Sequence, residues 1–352
     1  MRSVLGIVLR GIGIVAVSGA LVVGALALGR LLPDAGRLAY TTEYLGSTEI
    51  HLLDISRGFR FNLSWGGLPV WSPDGRYMAY VTGNRANQDI FVMDADGSHT
   101  RNLTDDSPHD LSPTWSPDSR RLAFESIRDG DWEIYLMDMC DGCDANPRNL
   151  THNPAIDSSP AWSSDGARIA FMSTRDGESE IYVMDADGRR PRRLTQHSLT
   201  DLQPPVWSPD GKKIAFTSLR PGNWDIYVMD AGCGDLPECR DNPVRNLSQH
   251  AAQDGSPVWS PDGAWIAFTS RRDGNLEVYL VPVAGGEPRN LTHHPDEDSS
   301  PAWSPDGKQI AFQTNRDRLY SDEIYVIDLA SGQTERLTYS YGSHQYPAWW
   351  PD

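Results

Sequence analysis

The segment Pro160-Ala-Trp-Ser-Ser-Asp-Gly-Ala-Arg-Ile-Ala-Phe-Met-Ser173, followed by Glu180-Ile-Tyr-Val-Met-Asp185 and Arg193-Leu-Thr195, decides the fold, because the chain repeats it. Its Pro-x-Trp opening recurs with Trp at 71, 115, 162, 207, 259, 303 and 349, at intervals of 44 to 52 residues. A period of that length marks propeller blades or a related array. Each unit divides into four short strands. Strand A is the Pro-x-Trp-Ser segment, closed by a Pro-Asp-Gly turn whose glycine supplies a positive φ. Strand B is the Ile-Ala-Phe run, as at Ile214, strand C the Ile-Tyr-Val-Met run, as at Ile226, and strand D the Arg-Asn-Leu-Thr type, as at Arg148. B and C are apolar without alternation, so both of their faces are covered. A four-stranded sheet flanked by sheets is a propeller blade.

The two ends of the array complete each other. Before Trp71 lie Arg37-Leu-Ala-Tyr, Glu49-Ile-His-Leu-Leu-Asp and Phe61-Asn-Leu-Ser, which are strands B, C and D without a strand A. The chain finishes on Tyr346-Pro-Ala-Trp-Trp-Pro-Asp352, a strand A with nothing after it. Joined, they make one blade and remove both exposed sheet edges, which are aggregation hazards. Six complete units plus this composite predict an all-β, seven-bladed propeller of four-stranded antiparallel blades over residues 37–352, sealed by pairing the last strand with the first.

Composition sets the remaining bounds. The 352 residues carry a formal net charge of −17, which argues against binding a phosphate backbone and excludes nucleic acid as partner. The 25 prolines and 31 glycines disfavour a helical bundle, since each breaks helix interiors. Arg2 and Arg10 precede an uncharged stretch from Gly11 to Gly29, near the ~20 residues that cross a bilayer as a helix. Residues 1–30 therefore predict one N-terminal hydrophobic helix, a membrane anchor, with 31–36 as a linker and the propeller outside the cytoplasm. The same stretch also fits a cleaved export signal ending near Ala25-Leu-Ala27, which would leave a secreted or periplasmic protein. Four cysteines agree with an oxidising compartment. Cys140 with Cys143, and Cys233 with Cys239, are expected to form two local disulfides, because neither pair sits in the βαβ context of a redox motif.

Trp-Ser-Pro-Asp-Gly-x-x-Ile-Ala-Phe followed by Glu-Ile-Tyr-Val-Met-Asp resembles the TolB-type, WD-repeat-like β-propeller repeat, from about residue 37 to the C-terminus. TolB-like periplasmic proteins have six blades and a preceding α/β domain, and this chain departs from both. Enzymes of the prolyl-oligopeptidase type attach a hydrolase domain, whereas this sequence has no Gly-x-Ser-x-Gly elbow. The resemblance implies a scaffold for binding and names no partner.

Most polar motifs are themselves repeats, which favours a structural role. Asp94-Ala-Asp-Gly and Asp185-Ala-Asp-Gly read as hairpin turns, because no Glu follows at calcium-loop spacing. The B–C loops carry Arg85, Arg128, Arg175, Arg220, Arg272 and Arg316, and an acid opens strand C at Asp89, Glu133, Glu180, Asp225, Glu277 and Glu323. A further acid precedes strand A at Asp110, Asp157, Asp201, Asp254 and Asp298. Strand direction puts the B–C and D–A loops on one face, so these groups meet there. An ion-pair lattice is the expected role, with Arg chosen for its planar fork. The alternative is a ring of five carboxylates at the channel mouth holding Ca²⁺ or Mg²⁺, which would support a propeller hydrolase or lyase. Of the D–A loop histidines only His109 and His344 lie near the inner strand. Residues that break the repeat are more informative: Trp132 and Trp224 in two B–C loops, Tyr320 in the longer loop of the last full blade, and Tyr341, His344 and Tyr346 in the closing D–A loop. Loop aromatics outside the apolar runs are candidate anchors for a protein, peptide or cell-envelope polymer. The sequence thus points to a non-catalytic, extracytoplasmic binding scaffold using that loop face.

Overall fold

The computed structural model of the chain describes residues 36–55, 59–84, 87–105, 109–139, 146–196, 203–220, 222–233, 244–317, 321–339 and 341–351. They form seven four-stranded antiparallel sheets, and nothing else that is regular. In six of them the strands follow in chain order from the inside out, as in Asp157–Trp162, Arg168–Ser173, Glu180–Asp185 and Arg192–Arg193. The seventh is the composite expected from the chain ends. Ser343–Trp349 is its inner strand, beside Arg37–Tyr44, Ser47–Asp54 and Phe59–Trp65. The closing register sets Leu38 opposite Trp349 and Thr42 opposite His344. Among the described residues no helix is long and apolar enough to cross a membrane; the stretch 1–30 lies outside them.

The core sits between blades. Ala170, Ile181, Val183 and Leu194 of one blade pack on Trp207, Ile214, Phe216 and Tyr227 of the next, all buried. This is why strands B and C are apolar on both sides. The repeated tryptophans fix the spacing of neighbours. Each indole N–H donates to a carbonyl on the preceding inner strand: Trp115 to Val70 at 3.1 Å, Trp162 to Thr114 at 3.3 Å, Trp207 to Ala161 at 3.0 Å and Trp259 to Val206 at 2.9 Å. Trp303 and Trp349 continue the series to Val258 and Ala302. Trp71 then donates to Ala348 at 3.3 Å, and the circle is complete.

Two features differ from the sequence reading. In four blades the inner strand starts at the Asp rather than at Pro-x-Trp, and its pairing is bulged in every blade where its full length is described, for example between Ser158 and Ala161. Ser112, Ser159, Ser256 and Ser300 sit there at φ of 51 to 54°. The proline that follows each has no N–H for the ladder, so pairing must skip a step. The outer strands also differ: six have only two or three residues, whereas the closing blade has seven.

Candidate functional site

Strand A delivers its first acid to the face of the B–C and D–A loops, and there a B–C loop arginine meets it. Arg128 reaches Asp110 at 3.1 Å, Arg175 reaches Asp157 at 2.9 Å, Arg272 reaches Asp254 at 3.1 Å and Arg316 reaches Asp298 at 2.7 Å. The carboxylates are fully buried. Burial raises the pKa of Asp110, Asp157 and Asp254, against which hydrogen bonds from a strand-B serine and the arginine act. Asp157 is also bonded by Thr151 and Asp254 by Ser248, each from the preceding blade, so each pair ties two blades together. The arginine plane lies over two rings of its blade, as Arg175 does over Phe171 at 5.4 Å and Tyr182 at 4.7 Å. The tyrosine hydroxyl donates in turn to the turn acid, Tyr135 to Asp129 at 2.5 Å and likewise Tyr182 to Asp176.

The arrangement accounts for the repeated charges as a lattice. No group of three or more His, Cys, Asp or Glu among the described residues is placed to hold a metal ion. Asp110, Asp157, Asp254 and Asp298 are directed at guanidinium groups; Asp201 lies outside the described residues. Cys140, Cys143 and Cys239 also lie outside them, and so does the expected pairing, while Cys233 is disulfide-bonded.

His344 requires a correction. It is fully buried rather than part of a loop surface. It stands at the strand-A position that holds Asp in other blades, where Nδ1 meets Thr42 Oγ1 at 2.9 Å and Nε2 lies 3.7 Å from Glu323. Tyr40 presents its ring edge at 5.3 Å. A lattice Arg–Asp pair is thus replaced at the closing seam by a Thr–His–Glu contact. His344 belongs to closure and is unavailable to a ligand.

Trp132 and Trp224 are half-buried on two separate blades. The Trp132 ring lies 6.3 Å from His109, and its carbonyl accepts Asp157 N–H at 2.8 Å. Trp224 is paired with Leu219 inside a strand. Trp132 precedes Glu133–Asp138 and Trp224 lies in Asn223–Asp230, whereas Tyr346 lies in Ser343–Trp349 of the closing blade; Tyr320 lies outside the described residues. The exposed aromatics gather instead over the closing blade and its neighbour. Tyr44 and Leu45 tip the closing B–C hairpin, Trp65 and Leu68 flank the next D–A connection, and Tyr339, Tyr341 and Tyr346 lie on the connection before it. Tyr341 is 80% exposed. Gly342, at φ +111°, lets its loop lie on the hairpin: a Cβ there would meet the Glu43 carbonyl at 2.9 Å. Leu68 and Tyr346 occupy the bulge that other blades fill with serine, with the same left-handed backbone (φ 55 and 54°), and are half exposed. Between the two hairpins opens a cavity of about 380 Å³ lined by Thr48, Trp65, Leu68, Val81, Gln88 and Leu111.

Tyr44, Leu45, Trp65 and Leu68 were missed in sequence. For Trp65 and Leu68 the signal was Trp65-Gly-Gly-Leu-Pro69, the one D–A connection with glycine five residues before the strand-A Trp.

Residues 29–152, 113–204, 144–241 and 200–313 match the family described as TolB beta propeller domain. Among solved structures, the chain is similar to TolB from Acinetobacter baumannii, with 23% identity, a TM-score of 0.58, and coverage of 90% of this chain and 82% of that one. It is also similar to a putative TolB from Agrobacterium tumefaciens, with 26% identity, a TM-score of 0.52, and coverage of 69% and 85%. The β-propeller domain of the Trilobed protease from Pyrococcus furiosus shares the fold, with 17% identity, a TM-score of 0.65, and coverage of 88% and 96%.

Proposed function

The chain belongs to the TolB beta propeller domain family, and from that premise we propose that it is a non-catalytic binding scaffold outside the cytoplasm, taking a protein, peptide or cell-envelope polymer on its B–C/D–A loop face. One observation carries this reading. Four blades of the loop face carry the same Arg–Asp pair, whereas at the closing blade and the connections on either side of it Tyr44, Leu45, Trp65, Leu68, Tyr341 and Tyr346 are exposed, and Trp65 and Leu68 line a cavity. Contiguous apolar surface rimmed by polar groups marks an interaction site. Large rings with few rotatable bonds are economical anchors, since little side-chain freedom is lost when they are covered. The charged groups of the same face are alike from blade to blade and already bonded, whereas an enzyme needs unlike groups converging in distinct roles.

The experiment is cross-linking and capture from envelope extract with the full chain in detergent. The comparison is a Trp65→Ala/Tyr341→Ala/Tyr346→Ala variant and a Trp132→Ala/Trp224→Ala variant. The reading expects the same captured species from the wild type and the second variant and its loss from the first. Equal recovery by the first variant discards the proposed sector.

A further inference from the structure

The rim of the propeller is uniform except at one seam. Six blades end in an outer strand such as Arg192–Arg193 or Thr334–Arg336, two or three residues long. The closing blade ends in Phe59–Trp65, which pairs with Ser47–Asp54 on its inner side and with no described strand on its outer side. This edge holds no Pro, Lys or acid; its one charged residue is Arg60, and a single bulge interrupts its inner pairing between Ile50 and His51. Phe59 and Phe61 are 58% and 51% exposed on it.

Beside the edge lies a cavity of about 550 Å³, between the closing blade and the first full blade. Phe59, Phe61 and Leu63 form one wall, Tyr77 and Trp350 another, and the turn Asp94-Ala95-Asp96 completes it. Other seams show what such a slot accepts. Arg192 reaches across its seam and donates to the carbonyl of Ala231 at 3.2 Å. Arg245 donates in the same way to the carbonyl of Val283, and to that of Ala284 at 3.4 Å. Ala95 corresponds to Ala231 and Val283, each following the last residue of strand C. Phe61 corresponds to Arg192 and Arg245, each two residues before the strand-D leucine. A phenyl ring cannot donate, so here the slot has aromatic walls and a carbonyl without the repeat's own arginine. Two cations of this chain border the slot, each against a residue of its lining, and neither is the strand-D arginine of the repeat. Arg37 lies 4.8 Å over Trp350 and 3.5 Å from Asp54, and Arg76 sits 5.9 Å from the Tyr77 ring. Asp94 is met by His99 at 2.7 Å.

We infer that this edge pairs with an extended segment of a partner protein, and that an arginine of that segment enters the slot between Phe61 and Tyr77 to donate to the Ala95 carbonyl and the Asp96 carboxylate. Strand addition supplies main-chain hydrogen bonds, and a pocket for an alternate side chain supplies specificity. Arginine is the side chain that both stacks on rings and donates from a planar fork. The net charge of −17 draws basic partners. The site is on the rim, apart from the loop face, so either can fail while the other stands.

The test uses the full chain in detergent and a blocked nine-residue β-forming peptide with a central arginine, against the same peptide with the neutral isostere citrulline, followed by calorimetry. The arginine peptide should bind at least about tenfold tighter, the factor of one charge-assisted hydrogen bond, and weaken as salt is raised. Phe61→Arg installs the repeat's own residue, so it should abolish binding and raise the melting temperature. Asp96→Asn, on an exposed turn, should weaken the arginine peptide alone by roughly threefold. Tyr341→Ala/Tyr346→Ala should leave binding unchanged. Equal binding of both peptides, binding of neither, or binding that survives Phe61→Arg overturns the inference. So does a concentration-dependent dimer that Phe61→Arg abolishes, which would assign the edge to a second copy of this chain.

Discussion

Replacing Asp157 by Ala tests whether the carboxylate ring is a lattice. Asp157 is fully buried, 2.9 Å from the Arg175 guanidinium, and bonded by Ser173 and by Thr151 of the neighbouring blade. Arg175 is itself only 15% exposed and held over two rings. Removing the acid leaves a nearly buried cation unpaired, at a cost of about 3–5 kcal/mol. Unfolding entropy of ~2.1 cal/mol/K per residue, over roughly 300 residues, converts each kcal/mol into about 1.5 °C. Asp157→Ala should therefore lower the melting temperature by roughly 5–8 °C. Asp157→Ala/Arg175→Met removes both charges and should be no worse than the single variant, because the uncompensated cation is gone. Differential scanning calorimetry at pH 7 on the wild type, both single variants and the double variant closes the cycle. A drop under about 1.5 °C for Asp157→Ala, or strictly additive single effects, would refute the argument.

Three further outcomes follow from the same geometry. If the aspartates serve arginine, neither Ca²⁺, Mg²⁺ nor a chelator should move the wild-type melting temperature; a gain with metal that Asp157→Ala removes would return these carboxylates to an ion. Deleting residues 343–352 strips the closing strand from Arg37–Tyr44 and breaks the Trp71–Ala348 bond, so the shortened chain should become aggregation-prone, with earlier proteolysis within the closing blade. His51 is held neutral, its pKa lowered to about 4 first by burial and then by Arg60. Its folded pKa lies below the unfolded value of ~6.5, so the stability it contributes is present above pH 6.5 and is lost as pH falls toward 4. The melting-temperature gap between wild type and His51→Gln should narrow over that window; Asp110, Asp157 and Asp254 titrate in the opposite sense but are common to both proteins. A gap independent of pH would show that His51 is not the group responsible.

The architecture was legible because it is written many times over. Seven tryptophans at a near-constant interval, and end segments that supply complementary strands, leave one way to complete the seventh sheet. The Arg–Asp pairs were legible for the same reason, since their spacing recurs with the blade. What the sequence hid lies where the repeat is broken by packing. His344 looks like a loop residue, yet its position five residues before Trp349 makes it the register equivalent of Asp298, and so buries it. Trp132 and Trp224 looked alike in sequence but sit on blades two apart. Trp65, Leu68 and Phe61 drew no notice because the first segments were read only for the strands they supply. Which of their side chains stay uncovered depends on neighbours brought in from the other end of the chain.

The closing register also sets an orientation. Arg37 begins a strand that runs toward the B–C hairpin, so the polypeptide arrives at the wheel on the side away from the aromatic sector. Arg37 and Asp54 are paired at the end of the blade opposite the Tyr44–Leu45 hairpin, so the first described residue and the aromatic sector face opposite ways, and a probe attached at Gly36 would leave that sector uncovered.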